Sequence, residues 1–98
     1  MLVALERFDL RIPGCRSLKQ KRHVVKALTN GLRSTFNVSV AEVGDHDLWQ
    51  RCELAVATVA GEPFHVRKVV AEIERFVDRF VEVEVIDRQV SFFGPDDR

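Results

Sequence analysis

Six residues at the start of one segment carry the chain's clearest chemical signal: Arg16, Ser17, Lys19, Lys21, Arg22 and Lys26. Ser17, with Gln20 three positions on, is a capping-box signature and predicts a helix start at Ser17. Lys19, Lys21 and Arg22 then occupy the first turns. There the helix macrodipole disfavours cations by about 0.3–1 kcal/mol each. A chain shaped only for stability places Asp or Glu at such positions. The serine, the free N–H groups of a helix start and the cations together describe an anion site. Lys19, Arg22 and Lys26 share the i, i+3, i+7 face and can form one stripe. His23 stands beside it and adds charge only below about pH 6.5. The competing reading is a solvated helix back, balanced by Glu72, Glu74 and Asp78 of a second helix. RNA phosphates are the commonest cellular polyanion that such a stripe can engage.

Other chemistry is thin. Asp45-His46-Asp47 carries metal-capable groups, but adjacent side chains diverge, so the triplet reads as a turn. His23, His46 and His65 do not form a spaced ligand set, and no metal site or cofactor is expected. The nucleophile elbow, the P-loop and the paired-histidine zinc motif are all absent. Cys15 and Cys52 have no zinc-type spacing. They are expected to be reduced thiols, with Cys52 a small buried hydrophobe. Trp49, beside Gln50 and Arg51, is expected to lie down as a hydrophobic lid, with a stacking platform as the lesser alternative.

The elements that must position these residues follow from periodicity. Residues 2–12 are apolar at Leu2, Ala4, Phe8, Leu10 and Ile12, a period-two strand in which Glu6 is the exception. Pro13-Gly14 ends it. Residues 17–36 form the first helix on a stripe of Leu18, Val25, Leu28, Leu32 and Phe36. It continues through Gly31, and Asn37 supplies a left-handed C-terminal residue. Residues 37–44 and 51–60 are strands. The second is apolar on both parities, which suits a central position with both faces covered. Residues 64–80 repeat Val66, Val69, Val70, Ile73, Phe76, Val77 and Phe80 at helical spacing. Residues 81–93 alternate as a last strand with a phase change at Val85-Ile86, the mark of a bulge.

The order β-α-β-β-α-β predicts an α+β ferredoxin-like sandwich, a four-stranded antiparallel sheet with two helices on one face. It spans 1–93 as one domain, and 94–98 is expected to be a frayed tail. Val3, Leu5, Ala55, Ala57 and Val59 then point away from the helices. An apolar patch on that open face predicts a homodimer or higher oligomer. Phe8 is the single aromatic on the two central strands and shares the core parity, so base stacking on the sheet, as in RNA-recognition sandwiches, is not expected.

Composition bounds the remaining classes. The chain has 98 residues, with 46% hydrophobic and 31% charged, which is globular rather than disordered. No apolar run approaches ~18 residues and the N-terminus lacks a basic leader, so a cytoplasmic, non-membrane protein is expected. Fifteen basic and fifteen acidic residues cancel formally. The cancellation hides a segregation. Residues 10–41 hold seven basic residues and no acidic one, while the rest of the chain sums to −7.

The blocks SLKQKRHVV (17–25) and FNVSVAEVGDHDLWQR (36–51), with the apolar strand after them, resemble the YlxP-like family of small bacterial proteins, a domain of unknown function. The resemblance runs from about residue 1 to residue 93. It implies a ferredoxin-like fold and a genomic neighbourhood of translation and ribosome-maturation genes. It carries no catalytic residue across. Gly44-Asp45 departs from an acidic residue followed by His in similar sequences, which weakens a metal role for that loop further.

The expectation is therefore a non-enzymatic module bound to RNA or the ribosome through the first helix, without a small-molecule substrate. The alternative is an interaction module that self-associates through the open sheet face. An acylphosphatase-like enzyme is set aside, because Ile12-Pro13-Gly14-Cys15-Arg16 has one Gly and one Arg where that chemistry uses a glycine-rich phosphate loop.

Overall fold

The structure is a computed structural model in which residues 1–95 are described. Its elements are β1 (Leu2–Arg11), α1 (Leu18–Thr35), β2 (Ser39–Gly44), β3 (Arg51–Ala60), α2 (Pro63–Asp78) and β4 (Glu84–Phe93). The strands form one antiparallel sheet in the order β2-β3-β1-β4. This is the βαββαβ ferredoxin-like sandwich that the periodicities predict. The frayed tail expected over 94–98 falls partly on residues 96–98, outside the described residues.

One parity of the sheet builds the core. Phe8, Leu10, Val40, Cys52, Leu54 and Val56 meet Leu28 and Leu32 of α1 and Ile73 and Val77 of α2 in a single buried cluster. Both helices therefore cover the same face. Burying these side chains contributes roughly 1.5–3 kcal/mol each before conformational entropy is set against it. Glu6 does not break the pattern. It is 3% exposed, among the core residues of β1.

Gly31 explains why α1 runs on through a residue that weakens helices. A Cβ there would lie 2.8 Å from Phe76 Cζ, so the missing side chain lets α2 close on α1. Phe76 in turn meets Phe36 edge-on at 5.9 Å between ring centres. The helix ends otherwise than predicted. Phe36 is its extended C-cap (φ −126°), and the left-handed non-glycine residue in the described chain is Asp45 (φ 62°), not Asn37. Asn37 instead accepts a hydrogen bond from the Thr58 hydroxyl through its carbonyl.

The last strand begins at Glu84 rather than 81, after a turn over Val81 and Glu82. The predicted bulge is present. Asp9 pairs with Asp87 and Leu10 with Val85, which leaves Ile86 as the extra residue. A second bulge leaves Val43 without a partner between Glu42 and Gly44 of β2.

The sheet face away from the helices is not covered within the chain. This corrects the two-sided burial expected of β3, where Val59 is exposed and Ala55 and Ala57 are half-buried. Opposite them on β1 stand Val3 (across from Val59) and Leu5 (across from Ala57). The other half of this face is ionic. Arg7 pairs with Glu53 at 3.0 Å and Asp87 at 3.2 Å, and Arg51 pairs with Asp9 at 2.9 Å.

Candidate anion-binding site

The start of α1 is locked as the capping residues predict. Ser17 Oγ accepts the Gln20 N–H at 3.1 Å, and Gln20 Oε1 accepts the Arg16 N–H at 2.8 Å. Gly14, at φ 73°, makes the turn that brings the chain from β1 to this cap. No acidic residue occupies the first turn. Ser17 is half-buried, and Arg16, Lys19, Arg22 and Lys26 are exposed.

Lys21 departs from the set. It is 2% exposed. Its ammonium donates to the backbone carbonyl of Asp45, lies 3.4 Å from that of His46 and stands 3.1 Å from Glu42 Oε2. Desolvating an ammonium is costly unless it is bonded and paired, and here two carbonyls accept from it while the Glu42 carboxylate supplies the opposite charge. Lys21 therefore clamps the β2–β3 loop to α1 and does not reach a ligand at the surface. The sequence held a signal for this. Leu18, Lys21, Val25, Leu28 and Leu32 recur at spacings of three and four, so Lys21 sits on the core stripe itself.

The remaining cations, like Arg11, Arg33, Arg67, Lys68, Arg75 and Arg79, stand outside the ion pairs of the described residues. Arg7, Lys21, Arg51 and Arg88 each stand within 4.0 Å of a carboxylate. Among the described residues, no carboxylate comes that close to Arg16, Lys19, Arg22 or Lys26. The acidic side of α2 does not neutralise them either. Asp78 holds Arg88 of β4 at 3.1 Å, and Glu74 lies 3.9 Å from the same guanidinium.

A groove of about 590 Å³ runs along this surface between α1 and the loop after β2. Arg22, Lys26 and Arg33 line one side, and Glu42, His46 and Asp47 the other. Arg33 closes its far end by donating to the Val40 carbonyl at 2.8 Å. The arrangement is a set of exposed cations beside a shallow channel whose opposite wall carries the carboxyls of Glu42 and Asp47. It can hold an extended anion, and it offers no nucleophile paired with a base.

The thiols are remote from such chemistry. Cys15 and Cys52 are both free and buried, and burial pushes the Cys52 thiol up to about 12. Cys15 Sγ donates to the Ser17 carbonyl at 3.4 Å. Among the described residues, no three His, Cys, Asp or Glu side chains converge as a metal site. No helix there is long and apolar enough to cross a membrane.

Trp49 is not the lid expected of it. The residue is 50% exposed at the tip of the β2–β3 hairpin, with Leu48 beside it at 52%.

The family described as "Protein of unknown function (DUF503)" matches residues 3–90. The uncharacterized protein YlxP of Bacillus subtilis (strain 168) is 37% identical over 77 residues, which cover 79% of this chain and 84% of that one. Among solved structures, a Deinococcus radiodurans protein assigned to the antibiotic biosynthesis monooxygenases superposes with a TM-score of 0.59 at 12% identity. That match covers 100% of this chain and 95% of the other. The de novo designed protein Foldit4 superposes with a TM-score of 0.53 at 12% identity, over 96% of this chain and 98% of its own. At such identities the likeness is one of fold. A natural protein and a designed one share it, so it carries no activity across.

Proposed function

The chain belongs to the DUF503 family, and we propose that it is a non-enzymatic module that binds the phosphate backbone of RNA, free or in the ribosome, through α1. The observation that carries this reading is the set of exposed cations Lys19, Arg22 and Lys26 on one face of α1, with exposed Arg16 just before its cap and none of the four held by a carboxylate. Each phosphate contact releases counterions, so binding weakens steeply with salt and has weak sequence preference. Lys19→Glu, Arg22→Glu and Lys26→Glu together abolish a salt-sensitive gel shift on structured RNA. A shift that survives the triple reversal sinks the reading.

A second reading rests on the open sheet face. Exposed Leu5 and Val59, with half-buried Val3, Ala55 and Ala57, adjoin a patch bearing both signs of charge. A surface half apolar and half bipolar is complementary to its own two-fold copy. We propose that two copies pair there. Leu5→Glu with Val59→Glu should convert a dimer to a monomer in sedimentation at tens of micromolar. A wild-type monomer at that concentration excludes the pairing and leaves the α1 reading intact.

A further inference from the structure

The hairpin tip holds the chain's single tryptophan, and the chain has no tyrosine. Trp49 is half-exposed to water, although Trp is one of the residues with the most apolar area to bury. The tip is nevertheless tied down on both sides. Before it, Asp45 adopts its left-handed conformation and accepts the Leu48 N–H at 3.0 Å. Lys21 holds the Asp45 carbonyl and lies against that of His46 from α1. After it, Gln50 accepts the Ile12 N–H at 2.9 Å through its carbonyl and donates its side-chain amide to the Cys15 carbonyl at 3.2 Å. Leu48 and Trp49 are thus presented from a pedestal.

The same bonds fix where the hairpin tip stands. Cys15, which Gln50 holds, directly precedes Arg16. Asp47 lines the groove beside Arg22 and Lys26, and it also borders the shallow depression formed by Leu48, Trp49, Gln50 and Arg51. Half-exposed Trp49 is therefore tied, through Gln50 and Cys15, to the stretch of chain that leads into Arg16 and the exposed cations of α1. That pairing of features is the physical basis of single-strand binding, in which cations follow the phosphates and bases stack on aromatic rings. A protein partner fits less well. An interface anchor is ringed by further contacts that exclude water, and here a lone Leu–Trp pair is flanked by polar and charged groups.

We propose that Trp49 is the stacking platform for an unpaired base of single-stranded RNA whose phosphates lie along Arg16, Lys19, Arg22 and Lys26. The inference rests on the α1 reading above and adds the strandedness of the ligand. Stacking needs only a π-face, so the preference among bases is weak. One stacked base should be worth roughly a five- to 150-fold gain in affinity.

Because Trp49 is the single indole, its emission reports on this position alone. The full chain is titrated with poly(U), with double-stranded RNA and with inorganic polyphosphate, and binding is followed in parallel by gel shift or sedimentation. Poly(U) should quench Trp49 saturably. Polyphosphate, which has charge but no bases, should bind without quenching. Trp49→Ala should bind poly(U) at least about fivefold more weakly with an unchanged salt slope, and Trp49→Phe should restore most of the loss. Poly(U) that binds without quenching, or Trp49→Ala that binds as the wild type does, overturns the stacking while the α1 reading stands. Failure of every RNA to bind overturns both.

Discussion

Replacing Glu6 with glutamine should make this protein more stable, and the gain should grow with pH. Glu6 lies on the core face of β1, 3% exposed, and among the described residues no donor reaches either carboxyl oxygen. Burial first, and then the carboxyl of Glu74 on α2, push its pKa up from 4.5 to about 9. The folded chain therefore keeps Glu6 protonated at neutral pH, and that proton can bridge to Glu74. The unfolded chain releases it above about 4.5. Stability linked to this group is complete below pH 4.5 and is lost as pH rises towards 9. The slope is about 1.4 kcal/mol per pH unit. At pH 7 the full shift corresponds to a loss of roughly 3 kcal/mol. The amide introduced by Glu6→Gln cannot ionise, keeps the shape of the carboxyl and can donate to Glu74. Urea unfolding followed by far-UV circular dichroism at pH 4, 6 and 8 measures the difference. At pH 4 the two proteins should unfold together. At pH 8 the variant's midpoint should lie on the order of 1 M urea higher. A gap that stays flat with pH, or a variant weaker than the wild type at pH 8, would falsify this account of the buried carboxyl.

Three further outcomes follow from particular contacts. Lys21→Met keeps the methylenes but strands Glu42 and the Asp45 carbonyl, so urea unfolding should show a loss of about 3 kcal/mol. Gly31→Ala should forgo the ~1 kcal/mol that Ala normally adds to a helix, because its Cβ meets the Phe76 ring. Thermal melting should therefore show a lower Tm, and a rise of several degrees would mean that the α1–α2 seam has slack. Ser17→Ala removes the acceptor for the Gln20 N–H and should cost about 1 kcal/mol, read from the same melts.

Element types, their order and the β4 bulge were legible because each is written in local periodicity. The phase change at Val85-Ile86 is visible in sequence, since a two-residue period cannot absorb an extra residue without inverting. What eluded the sequence were residues whose type contradicts their position. Glu6 looks like an interruption of a core parity and is a member of it. Lys21 looks like one more cation in a basic segment, but its phase on the helix takes it inside. Charge counting sees seven basic residues between 10 and 41, and packing then sorts them. Lys21 holds the hairpin, Arg33 meets the β2 backbone, and Arg11, Arg16, Lys19, Arg22 and Lys26 face the solvent. The exposure of Trp49 was hidden for a different reason. It depends on hydrogen bonds from Lys21, Ile12 and Gln50 that join distant stretches of chain.

The two bulges bear on how the sheet meets other sheets. β2 and β4 are its outer strands, and each carries one unpaired β-branched residue, Val43 and Ile86, both exposed. A regular outer strand is a template on which another chain can extend the ladder without limit. An extra residue breaks the repeat of donors and acceptors and twists the strand away from a flat partner. Growth by strand addition is thereby discouraged at both margins. Two molecules that meet flat face to flat face would form a closed pair, whereas edge-to-edge stacking would lead to an open filament.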